Sequence, residues 1–290
     1  MNLNLDLIQT VLLLLYTALT MLTMGFRLTW SQVRVLPQHR SLIGRALLVN
    51  IILVPFIAFL LYRLIEMPVE MAIGLFLVAS ASGAPFAPML AERAKGPLPI
   101  AVGLMFVLAL VSVVTTPVTV TLGLLAEGVA QVEVLLIFFM LVPVQLLPLL
   151  AGVAVKSRWE TVAQRLMKPL TWIASAVGLL VVLLIVVTDL NKILSVDWRT
   201  ITAALILAGA ALAMGWLLGG PGPLSRRVLA VTTSARNVAV AMLIAATTFP
   251  GTGVDVGVMA YAVVMLVVDV ALVAYWNRQS HAAADLREMR

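Results

Sequence analysis

Apolar residues fill this chain in nine long runs, separated by brief polar punctuation. The runs fall at about 6–26, 41–63, 69–93, 98–125, 132–155, 169–189, 199–219, 225–248 and 253–277. Each supplies the ~20 residues that a helix needs to cross a hydrocarbon core. Most of the connections are under ~15 residues, so no soluble domain is inserted between the runs. Two runs are interrupted at their centres. The third carries Ser80-Ala81-Ser82-Gly83-Ala84-Pro85-Phe86-Ala87-Pro88, and the eighth carries Thr232-Thr233-Ser234-Ala235-Arg236-Asn237. Pro85 and Pro88 each remove a backbone donor and free a carbonyl, so with Gly83 ahead of them they predict an unwound segment.

Unwound backbone at membrane depth is tolerated only where protein or a water-filled cavity satisfies the freed groups. A matched pair of broken helices, one in each half, points to the substrate site of a secondary transporter. The two broken runs lie five helices apart and therefore enter the membrane from opposite sides, the pattern of an inverted-topology repeat. The predicted fold is an all-α polytopic membrane protein of about nine transmembrane helices with two broken, crossing helices. At such a crossing, half-helix N-termini suit an anion and unwound carbonyls suit a cation.

Composition agrees with the bilayer as solvent. The chain is 62% hydrophobic and 11% charged, with a mean hydropathy of +1.11, more apolar surface than a soluble domain of this size buries. The absence of cysteine excludes disulfides, thiolate metal sites and cysteine nucleophiles. His39 and His281 fall in predicted loops or tails, which leaves no intramembrane imidazole relay. The net charge of +6 is spread over short loops, so it reads as anchoring to anionic lipid and not as a nucleic-acid surface.

The distribution of that charge predicts orientation. One set of alternate loops holds Arg27, Arg34, Arg40, Arg93, Lys95, Lys156, Arg158, Arg165, Lys168, Arg226, Arg227, Arg278, Arg287 and Arg290. The other holds Arg63, Lys192 and Arg199, while Arg45 and Arg236 fall inside runs. The bias places the N-terminus outside and the C-terminus in the cytoplasm, with the protein integral to the cell (inner) membrane. No basic region precedes the first run and no small-residue cleavage site follows it, so Leu7 onward reads as a permanent span.

Several residues carry candidate chemistry. Arg236 sits mid-membrane, where a charge costs ~2.5–3.5 kcal/mol on insertion scales and marks a functional site by default. Its guanidinium could stand in for a bound cation, clamp an anionic substrate bidentately, or donate to unwound carbonyls as a structural group. Asp269 lies inside the ninth run between Val268 and Val270. It reads either as a proton-coupling or salt-bridge group, or as a carboxylate near enough to the cytoplasmic end to reach water. Ser80, Ser82, Thr232, Thr233 and Ser234 either line a cavity or bond back to their own helices. Asn50 is a crossover ligand or interhelical glue. Glu127 and Glu133 flank a predicted external loop, and Pro117, Pro143 and Pro148 predict kinks.

Other function classes fare worse on these residues. A serine-type intramembrane protease needs a histidine base, and no run contains one. An aspartyl type needs two intramembrane carboxylates, and Asp269 stands alone as a candidate. A channel has little need of matched broken helices. A non-cycling sensor on a transporter scaffold would need a long soluble tail to pass on its signal, and none is predicted.

The chain resembles the bile acid:sodium symporter family. The resemblance rests on Phe26-Arg27-Leu28-Thr29, on Leu48-Val49-Asn50-Ile51-Ile52-Leu53-Val54-Pro55-Phe56-Ile57-Ala58-Phe59, and on Ala94-Lys95-Gly96 followed by Thr116-Pro117. Arg236-Asn237 and Ala274-Tyr275-Trp276 complete it. It implies a panel domain of the first, fifth and sixth helices (1–34 and 131–192) and a core domain of the other six (35–130 and 193–278), then a cytoplasmic tail at 279–290. It also implies a substrate crevice between the domains, beside the crossing, and the transport of organic anions with sodium. Arsenite exporters and auxin-type carriers are similar in fold, but a thiolate expected at an arsenite site is missing.

The sodium positions depart from what the resemblance implies. Ala87-Pro88 replaces a Ser-Asn pair, Ala101 and Met105 stand where the next helix adds hydroxyls, and Thr232 replaces a glutamate. Arg236 replaces a glutamine, Asn50 is a shorter amide than the glutamine expected there, and Asn237 alone matches. Sodium wants several oxygens, usually with a carboxylate. The expectation is therefore a transporter of a small organic anion or amphipathic acid that is not sodium-coupled, with Arg236 replacing the cation. Its crossing would be lined by Ser82, Pro85, Ala87, Pro88, Thr232, Thr233, Arg236, Asn237 and Asn50. The alternative is an ordinary sodium symporter with relocated ligands. No metal site and no cofactor is expected, and the partners are the small-molecule substrate and the lipid bilayer.

Overall fold

The computed structural model describes residues 3–29, 36–126 and 133–288. Arg34, Glu127 and Arg290 lie outside the described residues. Every regular element among the described residues is helical, as expected where each backbone polar group must be satisfied without water. α1 is Leu3–Arg27. α2 is a continuous rod in which Arg40–Leu47 passes through a π-helical stretch, Leu48–Leu53, into Val54–Leu64. α3 is broken into α3a, Val69–Ser80, and α3b, Ala87–Arg93. α4 is Leu98–Ala126, and α5 is Val134–Arg158 with a π-helical turn at Val142–Leu146. α6 is Glu160–Leu194 and α7 is Trp198–Leu218. α8 is broken into α8a, Pro223–Ser234, and α8b, Val238–Thr248, and α9 is Val254–Glu288.

Eight helices among the described residues are long and apolar enough to cross a membrane, and the broken α3, whose longer piece is Val69–Ser80, is not counted with them. Two boundaries differ from the sequence expectation. α6 begins at Glu160, not near 169, and α9 runs on to Glu288, past the end of the ninth apolar run near 277. Apolar patterning marks the part of a helix that faces lipid or core, whereas Ala, Arg, Glu and Leu carry a helix onward through polar sequence. Pro143 opens the π-helical turn of α5, and Pro117 lies inside α4 without ending it.

α1 packs along α5 and α6, and those two pack on each other. Gly25 on α1 lets the chains come close, because a Cβ there would sit 2.4 Å from the Leu149 carbonyl oxygen and 2.7 Å from Gly152 Cα. α9 packs on α3a, α7 and α8b, and α7 packs on α8a. The most apolar window of α8 is 94% buried against 22% for α6, so α8 is wrapped by protein while α6 faces outward. Burial on that scale puts every polar group of α8 under pressure to find a partner inside the protein.

Candidate functional site

The two breaks meet. α3a stops at Ser80 because Ala81 turns extended (φ −88°, ψ 95°) and Gly83 then adopts φ +81°, a conformation that costs a side chain. A Cβ on Gly83 would also lie 2.4 Å from the Ala109 nitrogen on α4. α8a stops at Ser234, where Ala235 turns extended (φ −66°, ψ 106°), and α8b restarts behind Asn237, whose Oδ1 accepts from the Val240 amide at 3.4 Å. The Asn237 amide donates to the Ala81 carbonyl at 2.9 Å, a direct backbone bond between the breaks.

A helix end leaves its last carbonyls without intrahelical donors, and those of α3a can be followed one by one. Leu77 O and Val78 O accept from the Ala81 amide, Ser80 O accepts from Thr116 Oγ1 at 3.0 Å, and Ala81 O accepts from Asn237. The rest go to Arg236. Its Nε donates to Val78 O at 3.3 Å, and Nη2 donates to Ala79 O and to Asn50 O at 3.1 Å. Nη1 donates to Asn50 Oδ1 at 2.7 Å and Thr233 O at 3.4 Å. All five guanidinium donors are therefore used, and the residue is fully buried.

The Asn50 carbonyl is free to accept for a local reason. In the π-helical stretch of α2 the Val54 amide bonds to Val49 O, five residues back. The next bond in that register would come from residue 55, which is proline and has no N–H. The Asn50 side chain is fixed in turn, with Nδ2 donating to Ala46 O at 2.9 Å and Thr233 Oγ1 at 3.2 Å. The carboxyl-terminal ends of α3a and α8a thus converge on one positive charge, the sign that helix C-termini favour.

A cleft of about 600 Å³ lies beside the meeting point. One wall is α1 from Leu13 to Arg27 and α6 from Thr171 to Val182, and the other is Pro85 to Met89, Asn237 to Met242, and Met259 to Leu266. The lining is mostly apolar, with Arg27 at one end and Tyr16, Thr20, Thr23 and Ser175 along the first wall. The start of α8b faces the cleft, and the buried Nδ2 of Asn237 has no partner there among the described residues. At the opposite end of the same helices lies a second opening of about 420 Å³. Two contacts cross it: Gln9 Nε2 donates to Asp255 Oδ2 at 3.3 Å, and Lys192 Nζ donates to the Gly251 carbonyl at 2.9 Å. Lys192 also pairs with Asp189 at 2.8 Å, beside a kink in α6.

The crossing expected from sequence is partly assembled. Asn50, Thr233, Arg236 and Asn237 come together, and Pro85 and Asn237 line the cleft. Thr232 does not face it, since its hydroxyl bonds back to Val228 O at 2.7 Å, and Ser80 does the same to Phe76 O at 2.8 Å. Ser82 is buried with Oγ 3.5 Å from Leu108 O, and Ala87 and Pro88 are buried at the start of α3b. Ala101 and Met105 sit in apolar clusters of α4. Asp269 is buried, but neither carboxylate oxygen has a hydrogen-bond partner among the described residues, so the salt bridge to Arg236 is not formed. Sequence reasoning named no site role for Thr116 or Tyr261, and it named none of the side chains that α1 and α6 present to the cleft, although the resemblance implies a crevice beside those helices. Pro55 signals a freed carbonyl on α2, but an α-helical register would put it at Ile51, and only the π-helical register of the fold moves it to Asn50.

A family model described as the sodium bile acid symporter family matches residues 12–196. That stretch holds the first break and the cleft wall formed by α1 and α6, and it stops ahead of Arg236 and Asp269. Among curated proteins none matches.

Proposed function

The chain belongs to the sodium bile acid symporter family, a family of membrane transporters, and from that membership we propose how it works. It moves a small amphipathic organic anion through the cleft, without sodium, and Arg236 takes the place of a driving cation. The observation that carries this reading is the guanidinium itself, which donates to oxygens of α2, α3a and α8. Those carbonyls are the acceptors that would wrap a small cation, and a tethered one already holds them.

The side chains nearby argue the same way. Sodium takes several oxygen ligands and usually a carboxylate. Ala87, Pro88, Ala101 and Met105 carry no side-chain oxygen, and the Thr232 hydroxyl is engaged by its own helix. A sodium ion does not suit this donor set, and no step of the cycle is routed through one.

The cleft supports this substrate class. Its volume is in the range of small-molecule sites. Apolar walls suit a hydrocarbon body, while Arg27, the unpartnered Nδ2 of Asn237 and the N-terminus of α8b favour a negative group. In this reading α1, α5 and α6 form a panel that rocks against a core of the other helices. In the same reading Arg27 is cytoplasmic, the larger cleft opens inward, and the Gln9–Asp255 and Lys192–Gly251 contacts narrow the outer end.

The test is thermal unfolding of the purified protein in sodium against choline buffer. A site filled at 100 times its Kd would add ~2.7 kcal/mol to the folded state. Equal stability in the two buffers is expected. Stabilisation by millimolar sodium would overturn the tethered-cation reading and favour a sodium symporter with relocated ligands.

A further inference from the structure

One ionisable group in the membrane-spanning part is left without a role by the arrangement around Arg236. Asp269 lies on the buried stripe of α9 formed by Tyr261, Met265, Asp269 and Val273, spaced four residues apart on one helix face. That stripe packs against the second break. Tyr261 Oη donates to Ser234 O at 3.3 Å, and the Arg236 amide meets Met265 Sδ at 3.4 Å. One turn further on, the Asp269 carboxyl lies beside Ser234, yet Ser234 Oγ and both carboxyl oxygens have no hydrogen-bond partner among the described residues.

We propose that Asp269 is a proton-binding site, and that its carboxyl takes up and releases one proton as the transporter cycles. The proposal rests on the transport reading and adds the driving ion to it. A bare carboxylate with no donor at full burial is among the costliest states a side chain can occupy. Binding a proton at one Oδ forms the neutral acid with no other bond made or broken, and the acid gains an O–H that can reach Ser234 Oγ.

The surroundings favour a proton over a metal cation. The charged or titratable groups near the carboxyl are Tyr261 on its own helix, and Arg236 and Arg227 from α8. Arg236 spends all five donors on carbonyl and amide oxygens, and Arg227 lies 5.4 Å over the Trp276 ring and donates to Ala94 O at 3.1 Å. α7 and α3b bring Leu212, Ala87 and Leu90 into the cluster that holds Val268, Leu272 and Val273. α3a and α8b reach α9 nearer its other end, where Gly74 meets Val254 and Val258. Asp189 and Lys192 of α6 lie at that end too, beside Asp255. One serine hydroxyl is a poor shell for sodium, which wants several oxygens. Leu266, three residues before Asp269, lines the cleft, and in this proposal the proton arrives from that side.

The experiment is infrared difference spectroscopy of the purified full-length protein in lipid bilayers, titrated from acid to alkaline pH. The expected result is a protonated-carboxyl C=O band in wild type that exchanges in D2O and fades as pH rises. It should be lost in Asp269→Asn, a variant of the same shape. If that variant does not fold, Asp269→Glu moves the band without abolishing it and still identifies the group. Three results would overturn the proposal. They are no band at any pH, a band that never titrates while the protein stays folded, or a band removed by sodium chloride but not by choline chloride at fixed pH. The band reports the carboxyl whether or not any solute moves, so its failure is distinct from that of the transport reading.

Discussion

The two breaks do the same job with different chemistry. The first runs from Ala81 to Phe86 and is built from backbone: a glycine at φ +81°, a proline, and carbonyls handed to neighbouring helices. The second is shorter, Ala235 to Asn237, and has neither glycine nor proline. What holds it is a side chain, since Arg236 reaches from its own break to the carbonyls of the other. A break encoded in backbone can be undone only by changing backbone preferences. A break held by a charge depends on one residue, and so does its neighbour.

That asymmetry makes Arg236→Ala the variant with the largest expected effect. It would leave four buried acceptors without donors, Ala79 O, Asn50 O, Asn50 Oδ1 and Thr233 O, on α2, α3a and α8 at once, while Val78 O keeps the Ala81 amide. Each orphaned buried acceptor costs ~1–3 kcal/mol, so several together outweigh the ~2.5–3.5 kcal/mol saved by taking the charge out of the membrane. Equilibrium unfolding in a fixed detergent mixture reads the difference. Arg236→Lys should recover only part of the loss, because an ammonium has three donors on a point charge and cannot span the acceptors. Full recovery by lysine would mean that charge alone, and not the fork, joins the breaks.

Gly83→Ala comes next and attacks the first break through its backbone. A side chain at positive φ costs ~1–2 kcal/mol, and a Cβ at 2.4 Å from the Ala109 nitrogen adds an overpacking cost of about 1–3 kcal/mol, since the obstacle is backbone and cannot rotate away. The expected loss is a few kcal/mol in the same unfolding measurement. A neutral result would show that α4 can retreat from the first break.

These differences also set what the sequence could reveal. Gly83, Pro85 and Pro88 announce the first break by residue type alone, and the apolar runs announce the helices, because length and hydropathy are local properties. The second break was legible only through the cost of a charge at Arg236. The partners of that charge were not legible. The Asn50 carbonyl is free because residue 55 lacks an N–H in a π-helical register, and that register is a product of packing. Asp269 stood out as a buried carboxylate, but whether Arg236 would reach it depended on which acceptors the folded chain put closer. The resemblance implies a crevice beside α1 and α6, but the side chains in its wall gave no signal, since Tyr16, Thr20, Thr23 and Ser175 are ordinary helix residues until a second helix group stands opposite them.

Thr116→Val isolates a single carbonyl of the first break. The valine keeps the shape and removes the hydroxyl that donates to Ser80 O at 3.0 Å. An orphaned buried acceptor costs ~1–3 kcal/mol, so the loss should be smaller than that of Gly83→Ala. If it is the larger of the two, then the carbonyls and not the glycine hold the first break.

Pro88→Ala should have the smallest effect, and it separates the cause of the break from its decoration. Pro88 stands at the start of α3b, where a helix has no intrahelical partner for its N–H and proline is tolerated without loss. The unwinding has already happened upstream, at Ala81 and Gly83, and the carbonyls freed there are held by Thr116, Arg236 and the Asn237 amide. Alanine at position 88 gains helix propensity but lies five residues beyond the left-handed turn, too far to close it. The change should stay within ~0.5 kcal/mol, the range of substitutions that break no named interaction. A loss of several kcal/mol would place the break at the prolines, and the first break would then be a property of α3b instead of a joint between two crossing helices.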